Sequence, residues 1–299
     1  MRMLKNINTE NRKQKDMQNK ESLLTGLMTI SDKEFSLIRE IVYDRFGITL
    51  SDAKRSLVVG RLQKIIRSKG LNTFKQYYDH LIADKTGQSL NTLVNRITTN
   101  HTFFNRENAH FDFFRTVALP ELTELLKTQK SREIRIWSAG CSSGEEPYML
   151  EIIMQEYFGK EYGMWNAGIL ATDISENVLN KAKAGIYSDE NIEHLPPFAK
   201  KYFTRTGVDQ WKASDKIKKN VTFRRFNLMN ETFPFKNPFH IIFCRNVMIY
   251  FNQETRNKLI TRFHNNLVLG GFFFIGHSES LGRAQSLYEY IMPAAYRKQ

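Results

Sequence analysis

The sequence predicts two domains, a small all-α domain followed by a doubly wound, mainly parallel α/β sheet. Two observations predict this order. The first third of the chain repeats apolar residues at helical spacings without a strand pattern, whereas short β-type runs alternate with helical stretches in the rest. The predicted bounds are 1–24 for a lead-in without regular structure, 25–100 for the helical domain and 101–299 for the α/β domain.

In the helical domain, the first helix has the clearest start and end. Ser31 and Glu34 have the spacing of a capping box, and Gly47 ends the helix that they begin. Three more helices are predicted at about 51–68, 74–83 and 89–98. The α/β domain opens with a helix that contains Phe111 and ends before Pro120, and another helix covers 121–126. Five strands follow, at Ile134–Trp137, Ala167–Ala171, Val221–Phe226, Ile241–Cys244 and Phe272–Ile275.

Composition limits the class of protein. Of 299 residues, 41% are hydrophobic and 25% charged, which is typical of a soluble globular chain. No stretch approaches the roughly 18 apolar residues of a membrane span, and the polar start is not a secretory signal. Cys141 and Cys244 are too few for a disulfide framework or a zinc cluster. We therefore expect a cytoplasmic protein that does not span a membrane and binds no metal.

The net charge of +13 implies an acidic partner, which could be nucleic acid, an anionic membrane or an acidic protein surface. The charge is concentrated in two runs. Between Asp52 and Asp79 every charged residue is basic, and a second basic run covers 200–225. On an ideal helix Arg61, Lys64 and Arg67 lie opposite the apolar face, which indicates either a solvated face or a docking surface.

A small-residue loop, 139–144, follows the first strand, where ligands bind in doubly wound sheets. Asp173 ends the second strand and suits ribose hydroxyls, although an N-cap is the more common fate of such an Asp. The loop lacks a complete G-x-G-x-x-G pattern, and Glu145 and Glu146 begin the next helix. These carboxylates would repel a pyrophosphate but tolerate the sulfonium and ammonium groups of S-adenosylmethionine. The loop therefore favours the methyl donor over a dinucleotide.

Several motifs occur in one order along the chain: Thr99-Asn100-His101-Thr102-Phe103-Phe104-Asn105-Arg106, Trp137 to Tyr148, Ala171-Thr172-Asp173-Ile174, Asn227-Leu228, Phe243 to Phe251, and Gly276-His277-Ser278-Glu279-Ser280. With these motifs the chain, from about Ile30 onward, resembles the CheR-type protein-glutamate O-methyltransferases that act on chemotaxis receptors. Asn105 departs from the family, in which an aromatic residue is more usual.

The resemblance implies a methyl transfer from S-adenosylmethionine to receptor glutamates, with S-adenosylhomocysteine as product. It implies as partners methyl-accepting chemotaxis receptors with an acidic helical methylation region, no nucleic acid, and a monomeric enzyme. It also implies a small antiparallel β-subdomain at about 202–226, which some family members use to hold a tethering peptide. The residues that the resemblance places at the donor are Asn100, Thr102, Arg106, Glu145, Asp173, Asn227, Leu228, Asn246 and Val247.

The acceptor carboxylate is already ionised at neutral pH, so an in-line displacement needs alignment rather than a general base. Our hypothesis is that Arg245 and Tyr250 border the acceptor and that Arg106 also steers it; the alternative for Arg245 is a structural salt bridge. Arg55 and Arg61 match family positions proposed for receptor docking, with Lys64 and Arg67 nearby on the same helix. Arg55 projects nearer the apolar face, which favours Arg61.

Two other functions remain possible on the sequence. A nucleic-acid methyltransferase would suit the basic charge. Its usual Asn/Asp-Pro-Pro-aromatic motif has only a partial match, Asn237-Pro238-Phe239, which precedes the fourth strand and is typical of a turn. A binding module that kept the fold without turnover is disfavoured by the polar residues retained around the predicted donor site.

Overall fold

The computed structural model of the chain describes residues 27–299, without the side chains of 283–285, and the predicted lead-in over 1–24 lies outside the described residues. The chain forms two compact units that adjoin in sequence at Thr98 and Thr99. None of the helices in the described part combines the length and the apolar character needed to cross a membrane.

Every regular element that the structure describes in the first unit is a helix. Its helices are α1 (Asp32–Phe46), α2 (Arg55–Ser68), α3 (Phe74–Ala83) and α4 (Gln88–Ile97), and a 3₁₀ turn, Asp52–Lys54, leads into α2. The predicted capping box is confirmed: Glu34 N donates to Ser31 Oγ over 3.3 Å, and Ser31 N donates to Glu34 Oε2 over 2.9 Å. Gly47 ends α1 with a φ of 69°, the left-handed conformation that glycine adopts without strain.

The second unit begins with a helical segment that the sequence analysis divides wrongly. Helix α5 (Asn108–Phe113) continues through a π turn (Phe114–Ala118) into α6 (Leu119–Thr128), so no break precedes Pro120. The N–H of Leu119 donates to the carbonyl of Phe114, five residues back. Pro120 therefore lies inside a continuous helical segment, directly after the π turn.

Ten strands and six more helices make up the rest of the unit. The strands are β1 (Glu133–Ala139), β2 (Asn166–Asp173), β3 (Ile186–Tyr187), β4 (Phe203–Gly207), β5 (Gln210–Ala213), β6 (Val221–Arg225), β7 (Phe239–Cys244), β8 (Leu267–Ile275), β9 (Tyr288–Met292) and β10 (Ala295–Lys298). The helices are α7 (Glu145–Phe158), α8 (Glu176–Ala184), α9 (Asp189–Glu193), α10 (Pro197–Lys200), α11 (Asp215–Lys218) and α12 (Gln253–Asn265), with 3₁₀ turns at Gly159–Met164, Met248–Tyr250 and Gly282–Leu287.

Seven strands form the main sheet, in the order β6-β2-β1-β7-β8-β10-β9. The first five run parallel, and β10 is antiparallel to both of its neighbours. The chain builds outward from β1 through β2 to β6 and then crosses to β7 on the other side of β1. The strand order therefore reverses between β1 and β7, which is where ligands bind in doubly wound sheets. The α/β fold and its five predicted strands are confirmed; β9 and β10 are additional.

The small antiparallel sheet has the order β3-β5-β4 and differs from the predicted bounds of 202–226. It begins at Ile186 and ends at Ala213. Strand β6 belongs to the main sheet, because Val221 pairs in parallel with Ile169 of β2 and buries its side chain there. The predicted range thus misses β3 and wrongly includes β6.

The core fixes the carboxyl end of β1. Trp137 is fully buried, and its indole N–H donates to Thr172 Oγ1 of β2 over 2.9 Å. Aromatic rings enclose it; they belong to Phe226, Phe233, Phe235, Phe239 and Phe263. The loop after β1 therefore starts from a rigid point.

Candidate functional site

The loop between β1 and α7 is folded tightly against the neighbouring strands. The amides of Gly140 and Cys141 both donate to Thr172 O, over 2.7 and 2.9 Å. Gly140 has a φ of 86°, and a Cβ placed on it would lie 2.3 Å from Cγ2 of Val247. The backbone after β1 thus approaches the residues after β7 so closely that only glycine fits. This approach marks the point where the strand order reverses.

Asp173, at the end of β2, ties that loop to the following turn. Its Oδ2 accepts from Ser142 N and its Oδ1 from Ser175 N, each over 2.9 Å. The N-cap of α8 is Ser175, so Asp173 is not the capping residue that the common alternative describes. Burial raises the pKa of Asp173, and the two amide bonds oppose this shift. Each carboxylate oxygen keeps a second lone pair, which leaves acceptor capacity for a ligand hydroxyl.

The two glutamates at the start of α7 have different surroundings. Glu145 is 3% exposed, and both of its oxygens lie within 2.9 Å of Ser143 Oγ. No ion pair within residues 27–299 includes Glu145, and burial raises its pKa. Glu146, in contrast, accepts from Ser138 Oγ over 2.7 Å and pairs with Arg245 Nη1 over 3.1 Å. One carboxylate is neutralised within the fold, and the other is not.

Arg245 occupies a buried ion-pair network. Its side chain is 3% exposed and pairs with Glu107 as well as Glu146, each over 3.1 Å. Its Nη2 also donates to the carbonyl oxygen of Arg106, and its Nε donates to the Glu107 carboxylate. The guanidinium lies over the ring of Phe111, 5.2 Å from the ring centroid. All three nitrogens thus have partners inside the fold. This geometry favours the structural salt bridge over the hypothesis that Arg245 borders an acceptor.

Residues just after Thr98 contact both loops at the carboxyl edge of the sheet. The carbonyl of Asn100 accepts from Ser142 Oγ over 3.1 Å, and that of Thr99 accepts from the Tyr250 hydroxyl over 3.2 Å. Arg106 is half-buried and donates through Nη1 to His101 O over 3.0 Å, which closes the turn that contains the half-buried Thr102. Predicted residues from two separate motifs, Asn100 and Arg106 from the first and Tyr250 from the second, thus lie around the β1 and β7 loops.

The remaining predicted residues follow β6 and β7. Asn227 Oδ1 accepts from Met229 N over 3.0 Å, and the carbonyl of buried Leu228 accepts from Arg262 Nη1 over 2.9 Å. Asn246 has a φ of 59°, a left-handed conformation that Asn tolerates better than most residues. Its backbone, next to Val247, therefore turns away from the direction of β7.

Two acids that sequence analysis did not single out hold Asn246 in place. Glu279 accepts from Asn246 N over 2.9 Å, Gly276 N over 2.5 Å and Ile249 N over 3.2 Å, and burial raises its pKa. Glu107 accepts from Asn246 Nδ2 over 3.3 Å. Burial raises the pKa of Glu107, but the Arg245 guanidinium and the hydrogen bonds from Asn246 and His277 N together outweigh this and hold it below the usual value. Glu279 lies within one of the motifs quoted above, and Glu107 directly follows another. Their positions in the sequence are therefore the signal that could have identified them.

In the helical unit, the four predicted docking residues divide into two pairs. Arg55 pairs with Asp32 over 2.8 Å and lies over the ring of Phe35, and Arg61 is half-buried with its Nη1 on Ile97 O. Lys64 and Arg67 are exposed. Arg55 and Arg61 both bind residues of their own unit. The predicted preference for Arg61 as the docking residue therefore gains no support.

The partial nucleic-acid methyltransferase motif lies away from the carboxyl edge. Asn237 and Pro238 form the turn before β7, and Pro238 O accepts from Arg135 Nε over 2.8 Å. This turn precedes β7, whereas Asn246 and Val247 of the candidate site follow β7. Its position agrees with the structural role that its place in the sequence indicates.

Comparison with known proteins matches both units. Residues 33–98 match the family described as CheR methyltransferase, all-alpha domain, and residues 100–296 match CheR methyltransferase, SAM binding domain. A chemotaxis protein methyltransferase of Borreliella burgdorferi is 44% identical over 91% of this chain and 96% of its own. Chemotaxis protein methyltransferase 2 of Pseudomonas aeruginosa is 37% identical, over 88% and 92%. The Escherichia coli chemotaxis protein methyltransferase is 36% identical, over 88% and 89%.

Proposed function

This chain belongs to the CheR methyltransferase family, and on that premise we propose that it methylates the glutamate side chains of methyl-accepting chemotaxis receptors. The methyl group comes from S-adenosylmethionine, and the products are glutamate methyl esters and S-adenosylhomocysteine. The observation that carries the proposal is Glu145, a buried carboxylate without an ion-pair partner among residues 27–299, beside the strand-order reversal. A buried charge of this kind favours a cationic ligand.

The residues at the carboxyl edge fit such a donor. Glu145 meets the ammonium group, and Asp173 uses its remaining lone pairs for the ribose hydroxyls. The glycine at position 140 leaves room that a Cβ would fill against Val247. The other residues proposed at the donor are Asn100, Thr102, Arg106, Asn227, Leu228 and Asn246.

Methyl transfer needs alignment more than acid–base chemistry. A carboxylate oxygen forms the new bond to the methyl carbon while the bond from that carbon to sulfur breaks, and no proton moves. The protein therefore has to hold both groups in line and exclude water. We assign the acceptor border to Tyr250 and the steering of its charge to Arg106. Arg245 acts as a positioning residue, since it fixes Glu107, which in turn binds Asn246.

Receptor docking is assigned to the exposed part of the basic run on α2. Lys64 and Arg67 project into solvent and can meet acidic receptor helices, which speeds and orients encounter. Arg55 and Arg61 support this surface from within the unit. We propose that the enzyme acts as a cytoplasmic monomer and needs no metal for the transfer.

The test is a methylation assay with S-adenosylmethionine labelled in the methyl group and receptor-bearing membranes. Carboxyl methyl esters release volatile methanol in mild alkali, so we expect base-labile label on the receptor. Glu145→Gln, which removes the charge at nearly constant shape, should raise KM for the donor at least tenfold. Glu161→Gln, at an acid in the 3₁₀ turn after α7, is the matched control and should leave KM unchanged. Label that survives alkali would indicate N-methylation and contradict the proposal.

A further inference from the structure

A second cluster of polar side chains lies beside the candidate site, within the α/β unit. It consists of Glu107, His110 and His277, and one ligand atom from each lies within 4.8 Å of the others. Glu107 and His110 are one helical turn apart at the start of α5, and His277 comes from the loop after β8. The donor site described above uses neither histidine.

The buried histidine presents a lone pair towards the carboxylate. His110 is fully buried, and its Nε2 lies 3.1 Å from the carbonyl oxygen of Pro293. A carbonyl only accepts, so Nε2 carries the hydrogen and Nδ1 of the neutral ring carries the lone pair. Nδ1 has no hydrogen-bond partner among residues 27–299 and lies 3.6 Å from Glu107 Oε2. Two electron-rich atoms face each other. Oε2 also accepts from Arg245 Nη2 over 3.1 Å, whereas a cation between the two atoms would give Nδ1 its only partner among residues 27–299.

The spacing and the donor types suit a transition-metal ion. A tetrahedral ion with bonds of about 2.1 Å separates its ligands by roughly 3.4 Å, close to the 3.6 Å observed between Nδ1 and Oε2. Two imidazoles and one carboxylate favour Zn²⁺ over Mg²⁺ or Ca²⁺, which prefer oxygen ligands. The Pro293 carbonyl orients the His110 ring as second-shell carbonyls do at metal sites. His277 is exposed, which provides an entry path.

From this geometry we propose that Glu107, His110 and His277 bind one Zn²⁺ ion, with water in the fourth position. The two cysteines predict no metal site from the sequence, whereas this cluster joins residues that are distant along the chain. The ion takes no part in methyl transfer.

Binding at this cluster would act on the donor site through Glu107. This carboxylate also accepts from Arg245 Nη2 over 3.1 Å and from Asn246 Nδ2 over 3.3 Å. A metal that draws Glu107 towards His110 weakens both bonds, so Zn²⁺ should lower donor affinity, and the donor should lower Zn²⁺ affinity by the same factor. This consequence rests on the proposed function, because it uses Asn246 as a donor contact; metal binding itself does not.

The experiment measures Zn²⁺ binding to the full, untagged, chelator-treated chain by calorimetry, without donor or receptor. Cys141 and Cys244 are buried, so surface thiols do not compete for the metal. His277→Ala removes an exposed ligand at little risk to the fold, and His194→Ala removes an exposed histidine outside the cluster.

We expect one equivalent of Zn²⁺ in the unaltered chain and in His194→Ala, and at least tenfold weaker binding in His277→Ala. Co²⁺ should give the ligand-field absorption of a tetrahedral site, and His277→Ala should lose it. Absence of saturable binding, or equal affinity in both variants, would overturn the proposal. Because no methyl transfer is measured, failure here is distinct from failure of the proposed function.

Discussion

The close approach of Gly140 to Val247 makes Gly140→Ala a quantitative test of the site. A Cβ at this position would lie 2.3 Å from Val247 Cγ2, whereas carbon atoms in contact are normally about 3.5–4.0 Å apart. Val247 must therefore move by more than about 1 Å. The φ of 86° adds a left-handed penalty of about 1–2 kcal/mol, and overpacking adds about 1–3 kcal/mol. We expect the free energy of unfolding to fall by about 2–5 kcal/mol.

Donor affinity should fall as well, because the displaced Val247 enters the space proposed for the donor and has to return when the donor binds. A cost of about 1.4 kcal/mol for that return already weakens binding tenfold. Calorimetry with S-adenosylhomocysteine measures the affinity, and urea unfolding measures the stability. Gly270→Ala is the matched control: its φ is 72°, but nothing lies within 4 Å of its added Cβ. It should show the backbone penalty alone and bind normally.

The double variant Gly140→Ala/Val247→Ala separates the contact from the strain. Without the Val247 methyl groups, the new Cβ would face the Cβ of residue 247 at 3.5 Å, an ordinary contact. We expect the double variant to be more stable than the sum of the single changes predicts, by at least about 1 kcal/mol. Additive stabilities, or an unchanged donor affinity in Gly140→Ala, would refute the reasoning.

Three further predictions concern charged groups. Arg245→Met should lower the free energy of unfolding by about 3–5 kcal/mol in urea, because it leaves two acids without their buried partner; a loss of turnover at full stability would instead indicate direct catalysis. Glu151 lies in α7, where burial raises its pKa from 4.5 to about 7. The folded chain therefore binds this proton more tightly than the unfolded chain, and stability falls as the pH rises between those values. Glu151→Gln carries no titrating group at this position and should not lose stability in this way. The free energy of unfolding of the variant minus that of the unaltered chain should therefore increase by about 1–3 kcal/mol between about pH 5 and 8, and a difference that stays constant with pH would contradict the assignment. Lys64→Glu should weaken receptor association in a salt-dependent way and leave the free energy of unfolding unchanged. Arg61→Ala should lower the free energy of unfolding by about 1 kcal/mol, because the carbonyl of Ile97 at the end of α4 loses its partner. The reverse pattern would assign docking to Arg61.

Short-range signals made much of the fold predictable. The capping box at Ser31 and the stop at Gly47 depend on residues within one or two turns, and the five core strands are apolar runs between helices. Strands β9 and β10 carry a weaker signal, because they are short and only one of the five residues of β9 and two of the four residues of β10 are buried. The π turn before Pro120 was not predicted either, since proline usually ends a helix, whereas here the helix continues through the wider hydrogen bond from Leu119 N to Phe114 O.

The site was predictable as a set of motifs but not as a network. Asn246 and Arg106 were predicted near the donor from their motifs, but nothing in the sequence indicates that Glu107 binds Asn246, which lies 139 positions away. The same limit applies to Arg245, for which both a catalytic and a structural role were open until its partners were known. Ion pairs between distant motifs leave no periodic pattern, so only the tertiary structure assigns them.

The electrostatics at the start of α7 show why one of two adjacent glutamates can serve a cationic ligand. Glu146 turns towards β1 and is neutralised by Arg245. Glu145 accepts from the Ser143 hydroxyl and forms no ion pair among residues 27–299, although it is more deeply buried than Glu146. A buried carboxylate at a helix N-terminus already opposes phosphate binding, and because no ion pair in the described part of the chain includes Glu145, its charge can serve a ligand. The pairing of Glu146 thus isolates a single negative charge at the β1 edge, and a donor that carries ammonium and sulfonium groups complements that charge where a dinucleotide would not.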